Sequence, residues 1–271
     1  TPTLMQPDDF LALMEDVRRH FAVASDAEIA IEIDPRTLTQ DMAVALSAGG
    51  VTRASLGVQS FDGKVQRIIN RVQPFAQTRN AVRMLRAAGI RSTNMDLLYG
   101  LPGQTLTPCI DTAQRVLELM PDRLAVFGYA HVPNFKPHQR KFMTEALPDG
   151  KQRHAQAEYI AATLEDAGYQ RVGLDHYARP DDPLAVAARN GTLHRNFQGY
   201  TTDSADTLIG LGASSIGRLP GGFVQNTVVI REYLQAIEAG QLATVKGYRL
   251  TAEDRLRAAV MAPSPRRAPR S

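Results

Sequence analysis

Apolar positions along this chain recur with two alternating periods, one helical and one extended. LMQPDDFLALMEDVRRHF (residues 4–21) puts Phe10, Leu11, Met14, Val17 and Phe21 on one helical face, and Pro7-Asp8-Asp9 is a favoured helix start. AEIAIEID then reads as a short buried strand. TLTQDMAVALSAGG is a helix opened by a threonine cap and stopped by Gly49-Gly50. The rhythm continues with VTRASLGVQ as a strand, QTRNAVRMLRAAGI as a helix ended by Gly89, and RSTNMDLLYGLP as a strand stopped by Gly100 and Pro102. TLTPCIDTAQRVLELM is again helical and DRLAVFGYAHVP again extended. Strands separated by helices of about 10–15 residues predict an α/β fold with a parallel sheet and crossover helices. A TIM-type barrel, whole or partial, and an open doubly wound sheet both satisfy this order. No G-x-G-x-x-G and no G-x-x-x-x-G-K-[ST] occurs, so neither a dinucleotide nor a P-loop site is supported.

After Pro133 the rhythm loosens. KQRHAQAEYIAATLEDAGY predicts a long helix and YQRVGLDHY a fifth strand, whereas PDDPLAVAARNGTLHRNFQGYTT is rich in turn formers. REYLQAIEAG and TAEDRLRAAV are the last helical stretches. The tail MAPSPRRAPRS has no periodicity and is expected to be disordered.

Polar residues collect where the strands end, which is where parallel α/β folds carry their chemistry. Glu32 and Asp34 close the first strand, Gln59 the second, Tyr129 and His131 the fourth, and Asp175-His176-Tyr177 the fifth. Asp96 interrupts the third, in NMDLLYG. Each also has a plain structural reading: Asp34-Pro35 as a turn, Gln59 as a helix cap, His176 as a satisfied histidine. Asp96 is harder to set aside, because an unpaired buried carboxylate costs several kcal/mol, on the order of the penalty for any buried charge. It calls for a guanidinium or a ligand hydroxyl. Together these ends predict a polar, ligand-binding mouth.

Composition narrows the partners. The sequence pI of 9.1 suggests nucleic acid, but the net charge is only +3. Arg266, Arg267 and Arg270 in the tail account for all of it, and elsewhere acids and bases interleave, so no basic face is expected. No apolar run approaches the roughly 20 residues of a membrane span, and TPTLMQPDDF is not a signal peptide. The single cysteine, Cys109, excludes a disulfide framework and an all-cysteine metal site, and fits a reducing cytoplasm. It reads as a buried small hydrophobe.

Seven strings carry a resemblance: EIDPR (32–36), SLGVQSFD (55–62), VQRIINRVQ (65–73), STNMDLLYGLPGQT (92–105), FGYAHVP (127–133), DHYARPDD (175–182) and LHRNFQGYTT (193–202). From residue 1 to about 260 the chain resembles the oxygen-independent coproporphyrinogen III oxidases, radical S-adenosylmethionine (SAM) enzymes of haem synthesis. The last two strings are the more specific, and the related radical SAM haem-binding chaperones, the runner-up, differ around Asn196–Tyr200.

The resemblance implies a partial TIM-type (β/α) barrel over residues 1–220, the start of a helical region over 221–260, and the tail over 261–271. It implies that Glu32 holds the amino group or ribose of a cluster-bound SAM, with Thr1 beside its amino acid moiety, Ala130 against adenosine and Ile216 on the adenine. Gln59, Arg71 and Asp96 would bind a second SAM, with Arg71 and Asp96 able to pair. Phe197 and Gln198 would border the substrate or second-SAM pocket. The implied activity is oxidative decarboxylation of coproporphyrinogen III to protoporphyrinogen IX by a SAM-derived 5′-deoxyadenosyl radical. It would take place in a cytoplasmic monomer supplied by an electron donor. The family's Cys-x3-Cys-x2-Cys motif for a [4Fe–4S] cluster is not in this chain, and TPT stands without the glycines that precede it in the family. The chain is therefore expected to be a truncated barrel lacking its N-terminal strands, and inactive or even non-functional as it stands.

Overall fold

The computed structural model describes residues 2–142, 146–196 and 199–261. Contacts divide the chain into two compact units, Thr1–Val186 and Ala187–Ser271, whereas the sequence-based division fell at residue 220.

In the first unit, four strands, β1 (Ala30–Ile33), β2 (Arg53–Gln59), β3 (Ser92–Tyr99) and β4 (Arg123–Gly128), run parallel in sequence order. Strand alternation gives the sheet two unlike faces. Ile31, Ile33, Ala54, Leu56, Val58, Met95, Leu97, Leu124 and Val126 project to one side and are buried. There they meet the apolar stripes of α1 (Pro7–His20), α2 (Gln40–Ala48), α4 (Phe75–Ala87), α5 (Leu106–Glu118) and α6 (Gly150–Asp166) in one continuous core. Fully burying a leucine such as Leu46, Leu56, Leu85 or Leu124 contributes about 1.5–3 kcal/mol. The intervening residues are mostly polar and small, including Glu32, Ser55, Gly57, Asn94, Asp96 and Ala125. They form the opposite face.

Helix starts follow their caps. Thr39 accepts from the Met42 amide at 3.2 Å at the head of α2, as the sequence predicts. Asp62 does the same for Val65 at 2.7 Å, opening the short α3 (Gly63–Ile68), which the apolar pattern did not announce. Asp149 and Gln152 form a reciprocal capping box on α6.

The expected fifth strand is instead a hairpin, β5 (Gln170–Val172) and β6 (His176–Ala178), turning at Gly173 with φ +63°. β6 pairs antiparallel with β4, giving the order β1-β2-β3-β4-β6-β5. The reversal matters for the site. His176, the first residue of β6, thereby lies toward the same edge as the C-terminal ends of the parallel strands. β1 has a sheet partner on one side among the described residues, so the sheet is an open partial barrel.

The N-terminal ends of the strands carry ion pairs rather than chemistry. Arg123 Nε meets Asp182 at 2.7 Å with both side chains buried, and Arg53 reaches Glu28 at 2.7 Å and Ser92 at 3.0 Å.

α7 (Pro183–Asn190) follows the Asp182 cap. The second unit holds a small hairpin of β7 (His194–Asn196) and β8 (Gly199–Thr201). It also holds an antiparallel sheet of β9 (Ile216–Leu219), β10 (Gly222–Asn226) and β11 (Thr244–Arg249), with α8 (Ile230–Glu238) and α9 (Ala252–Met261). The start of a helical region was expected over 221–260, and α8 and α9 lie there beside β10 and β11. Its strands escaped because β11 is exposed at every position and has no in–out alternation to read. Residues 262–271, nearly all of the expected disordered tail, lie outside the described residues.

Candidate functional site

Register on the polar face builds the site. One lateral row runs Glu32–Ser55–Asn94–Arg123, and the next runs Gly57–Asp96–Ala125–His176. Side chains in such a row project on the same side and are neighbours. Asp96 therefore stands between two positions with little or no side chain, Gly57 and Ala125.

Asp96 accepts from Asn94 Nδ2 at 2.8 Å and from Ser55 Oγ at 3.4 Å, while Asn94 Nδ2 also donates to Ser55 Oγ at 3.1 Å. Removal from water pushes the Asp96 carboxyl up, against the pull of these donors and of His176. Glu32 is exposed in part, yet loss of water and the charge on Asp96 raise its carboxyl too, opposed by a hydrogen bond from Ser55. The two carboxylates thus share one serine between them.

Above this row the backbone of β2 bulges at Val58, and Gln59 sits at φ +68°, a strained value for a residue with a side chain. A side chain at Gly57 would crowd the Gln59 amide at 3.1 Å and the Arg71 guanidinium at 3.2 Å. Gly57 is thus what lets those two groups close over the strand.

The expected Arg71–Asp96 pair does not form. Arg71 follows α3, where its amide closes onto Gln66 O. Its guanidinium donates to Gly57 O at 3.0 Å and pairs with Asp34 at 3.4 Å. Asp96 is served instead by its own strand and by β2, whose neutral donors leave its carboxyl raised where an arginine partner would lower it. Arg71 Nε is buried with no hydrogen-bond partner. Desolvation lowers the pKa of Arg71, and Asp34 opposes that.

Asp34 was open to reading as a turn residue, and Arg36 was not singled out. Arg36 clasps Asp34 through Nε at 3.0 Å and Nη2 at 2.6 Å, and this holds the Asp34 carboxyl down at about 2. Ser55 and Asn94 were also passed over. Their signal was available: each lies two residues before a site position, Gly57 or Asp96, on the same face of its strand.

Ala130, two residues past β4, is exposed, and its carbonyl accepts from Gln139 Nε2 at 3.1 Å. Tyr129 is buried, with its hydroxyl 3.3 Å from His131 Nδ1. Glu32, Gln59, Arg71, Asp96 and Ala130 thus gather at the C-terminal edge of the parallel strands. Ile216 opens β9 in the second unit and is half-buried there. Thr1, Phe197 and Gln198 lie outside the described residues.

A [4Fe–4S] cluster does not fit the residues present. Cys109 is buried in α5, burial pushes its thiol up to about 12, and no group of three or more His, Cys, Asp or Glu among the described residues could hold a metal ion. SAM fits better. Its carboxylate would suit a guanidinium with an unused buried N–H, and its ribose hydroxyls would suit a desolvated carboxylate.

Residues 1–116 match the family model of the radical SAM superfamily, and the α/β fold, with its mostly parallel sheet, is that of a partial barrel. The chain is 60% identical over 261 residues to the oxygen-independent coproporphyrinogen III oxidase of Bradyrhizobium diazoefficiens, covering 96% of this chain and 58% of that one. It is 43% identical over 257 residues to the Escherichia coli enzyme of the same name, covering 95% and 56%. A solved structure of the E. coli coproporphyrinogen III oxidase, described as a radical SAM enzyme, superposes with a TM-score of 0.92 at 42% identity, covering 97% of this chain and 61% of that one. The similarity to these relatives runs over nearly the whole of this chain. The chain spans somewhat over half the length of these relatives. No helix among the described residues is long and apolar enough to cross a membrane.

Proposed function

We propose that this chain carries the SAM-binding strand ends, and part of the porphyrinogen pocket, of an oxygen-independent coproporphyrinogen III oxidase. The observation that supports it most directly is Arg71, a half-buried guanidinium with an unused, buried Nε–H, set beside Gln59 over Gly57, the strand neighbour of Asp96. In this reading Gln59, Arg71 and Asp96 hold one SAM, Arg71 at the carboxylate and Asp96 at a ribose hydroxyl. Glu32 holds the amino group or ribose of another, with Ala130 at the same strand-end edge. SAM supplies a hydrogen-abstracting fragment when a reduced cluster serves it. This chain contributes binding, orientation and exclusion of water. The working enzyme is a cytoplasmic monomer fed by an external electron donor, with the cluster ligands outside these 271 residues.

Isothermal titration of the chain with SAM tests the reading, alongside reconstitution with iron and sulfide. SAM binding that weakens in Asp96→Asn, with no stable [4Fe–4S] absorbance, is the expected result. Unaltered SAM binding in Asp96→Asn overturns the assignment of that residue, and a stable cluster overturns the claim about its ligands.

A further inference from the structure

The Asp175-His176 pair is not used by the reading above, and its placement gives it a role. Asp175 Oδ1 lies 2.7 Å from His176 Nδ1, and the ring packs edge-on against Phe127 with centroids 5.7 Å apart. These two contacts fix the imidazole, and a carboxylate on Nδ1 selects the form with the proton there. His176 pairs with Ala125 on β4, and Ala125 pairs with Asp96 on β3. The methyl of Ala125 is therefore all that the row places between the imidazole and the Asp96 carboxylate. Both side chains are largely withdrawn from solvent, and charges screen one another less there than at a surface. Asp175 also lines a cavity of about 340 Å³ bounded by Tyr99, Phe127, Gly128, Arg171 and Leu174. The pair thus reaches from that cavity to the polar face.

We propose that Asp175 and His176 form a positioning dyad whose imidazole, held by Asp175 and facing Asp96 across Ala125, sets the charge on Asp96. The inference rests on the reading of Asp96 as a ligand group only for its functional consequence. The attraction of His176 for the Asp96 carboxylate accords with it. The other groups acting on Asp96 are Glu32 from β1, Ser55 from β2 and Asn94 on β3 itself. Arg171 and Tyr177 neighbour the dyad from the hairpin. Among these Glu32 carries the other negative charge, and the charge on Asp96 raises its carboxyl.

The test is carbon-13 NMR of the whole chain labelled in aspartate carboxyls and histidine rings, without ligand, with Asp96→Asn to assign the signal. In the unaltered chain the Asp96 signal is expected to carry a second inflection at the midpoint of the His176 ring. His176→Gln and His176→Asn are expected to remove it and to move the Asp96 midpoint upward. A single Asp96 inflection that ignores the ring, or an unmoved midpoint in a folded variant, overturns the proposal. The wild-type curve decides even where both variants unfold. SAM titration adds the functional arm. At pH values below the His176 midpoint that the NMR measures, His176→Gln is expected to weaken SAM about threefold, the scale of a partly screened charge pair, and to have no effect in the Asp96→Asn background. Should Asp96→Asn leave SAM binding unchanged, the reading of Asp96 as a ligand group fails, while the NMR result still decides the dyad.

Discussion

Arg71→Met separates binding from folding at the candidate site. The arginine gives the folded chain two modest contacts, the 3.4 Å pair with Asp34 and the 3.0 Å bond to Gly57 O. Neither partner is stranded by its loss. Asp34 keeps the Arg36 fork and the Arg36 amide at 3.0 Å, and Gly57 O keeps Gln73 Nε2 at 3.1 Å. Methionine retains most of the apolar stem, and the buried Nε that lacks a partner disappears. The stability loss is therefore expected to be about 1 kcal/mol or less, the scale of a weak ion pair. Binding is another matter. If the guanidinium takes a carboxylate of SAM, each charge-assisted hydrogen bond is worth about 1.5–3 kcal/mol. That corresponds to a Kd raised roughly 10- to 150-fold. Urea unfolding measures the first quantity and calorimetric titration with SAM the second. An unchanged Kd accompanied by a loss of several kcal/mol in stability, on the order of a buried pair, would make Arg71 a structural residue and refute the reasoning.

Other consequences follow from the same contacts. Asp182→Ala strands the buried charge of Arg123, whose Nη2 already has no partner, and is expected to cost about 3–5 kcal/mol in urea unfolding. Replacing both, Arg123→Met with Asp182→Leu, should recover most of it, and a loss below about 1 kcal/mol in the single variant would mean that Glu28 takes over Arg123. The Asp34 carboxyl, held by Arg36 at about 2 instead of its ordinary 3.8, gives stability that is present above pH 3.8 and lost as pH falls toward 2. Asp34→Asn should therefore differ from the unaltered chain at neutral pH and converge with it near pH 2 in acid-unfolding curves. Cys109, buried and with its thiol raised to about 12, should resist iodoacetamide in the native chain and react on unfolding. Rapid native labelling would show that α5 opens.

Much of the first unit was legible because two periods write themselves into the residues. Phe10 and Met14 fall on the buried side of α1 and Ile31 and Ile33 on that of β1, as spacing alone requires. Thr39 caps α2 for a local reason, an oxygen within reach of an unpaired amide. The strand ends carrying Glu32, Gln59 and Asp96 were also visible in order, and parallel topology is what turns that order into a shared edge. Where the signal was short or exposed, it failed. The β5–β6 hairpin is hidden in a string that reads as one strand, and β11 offers no buried side to detect.

The sequence by itself determined the element order, the apolar side of each strand and the family that the chain resembles, because those depend on local spacing and on strings of residues. Only the tertiary structure decided who meets whom. Arg71 and Asp96 looked like partners by charge, yet register gave Asp96 to Asn94 and Ser55, and the turn after α3 gave Arg71 to Asp34. Register likewise brought His176, 80 positions along the chain from Asp96, to the far side of a single alanine. Charges separated by long loops choose partners by the geometry that burial of the apolar faces imposes, and no count along the chain contains that geometry.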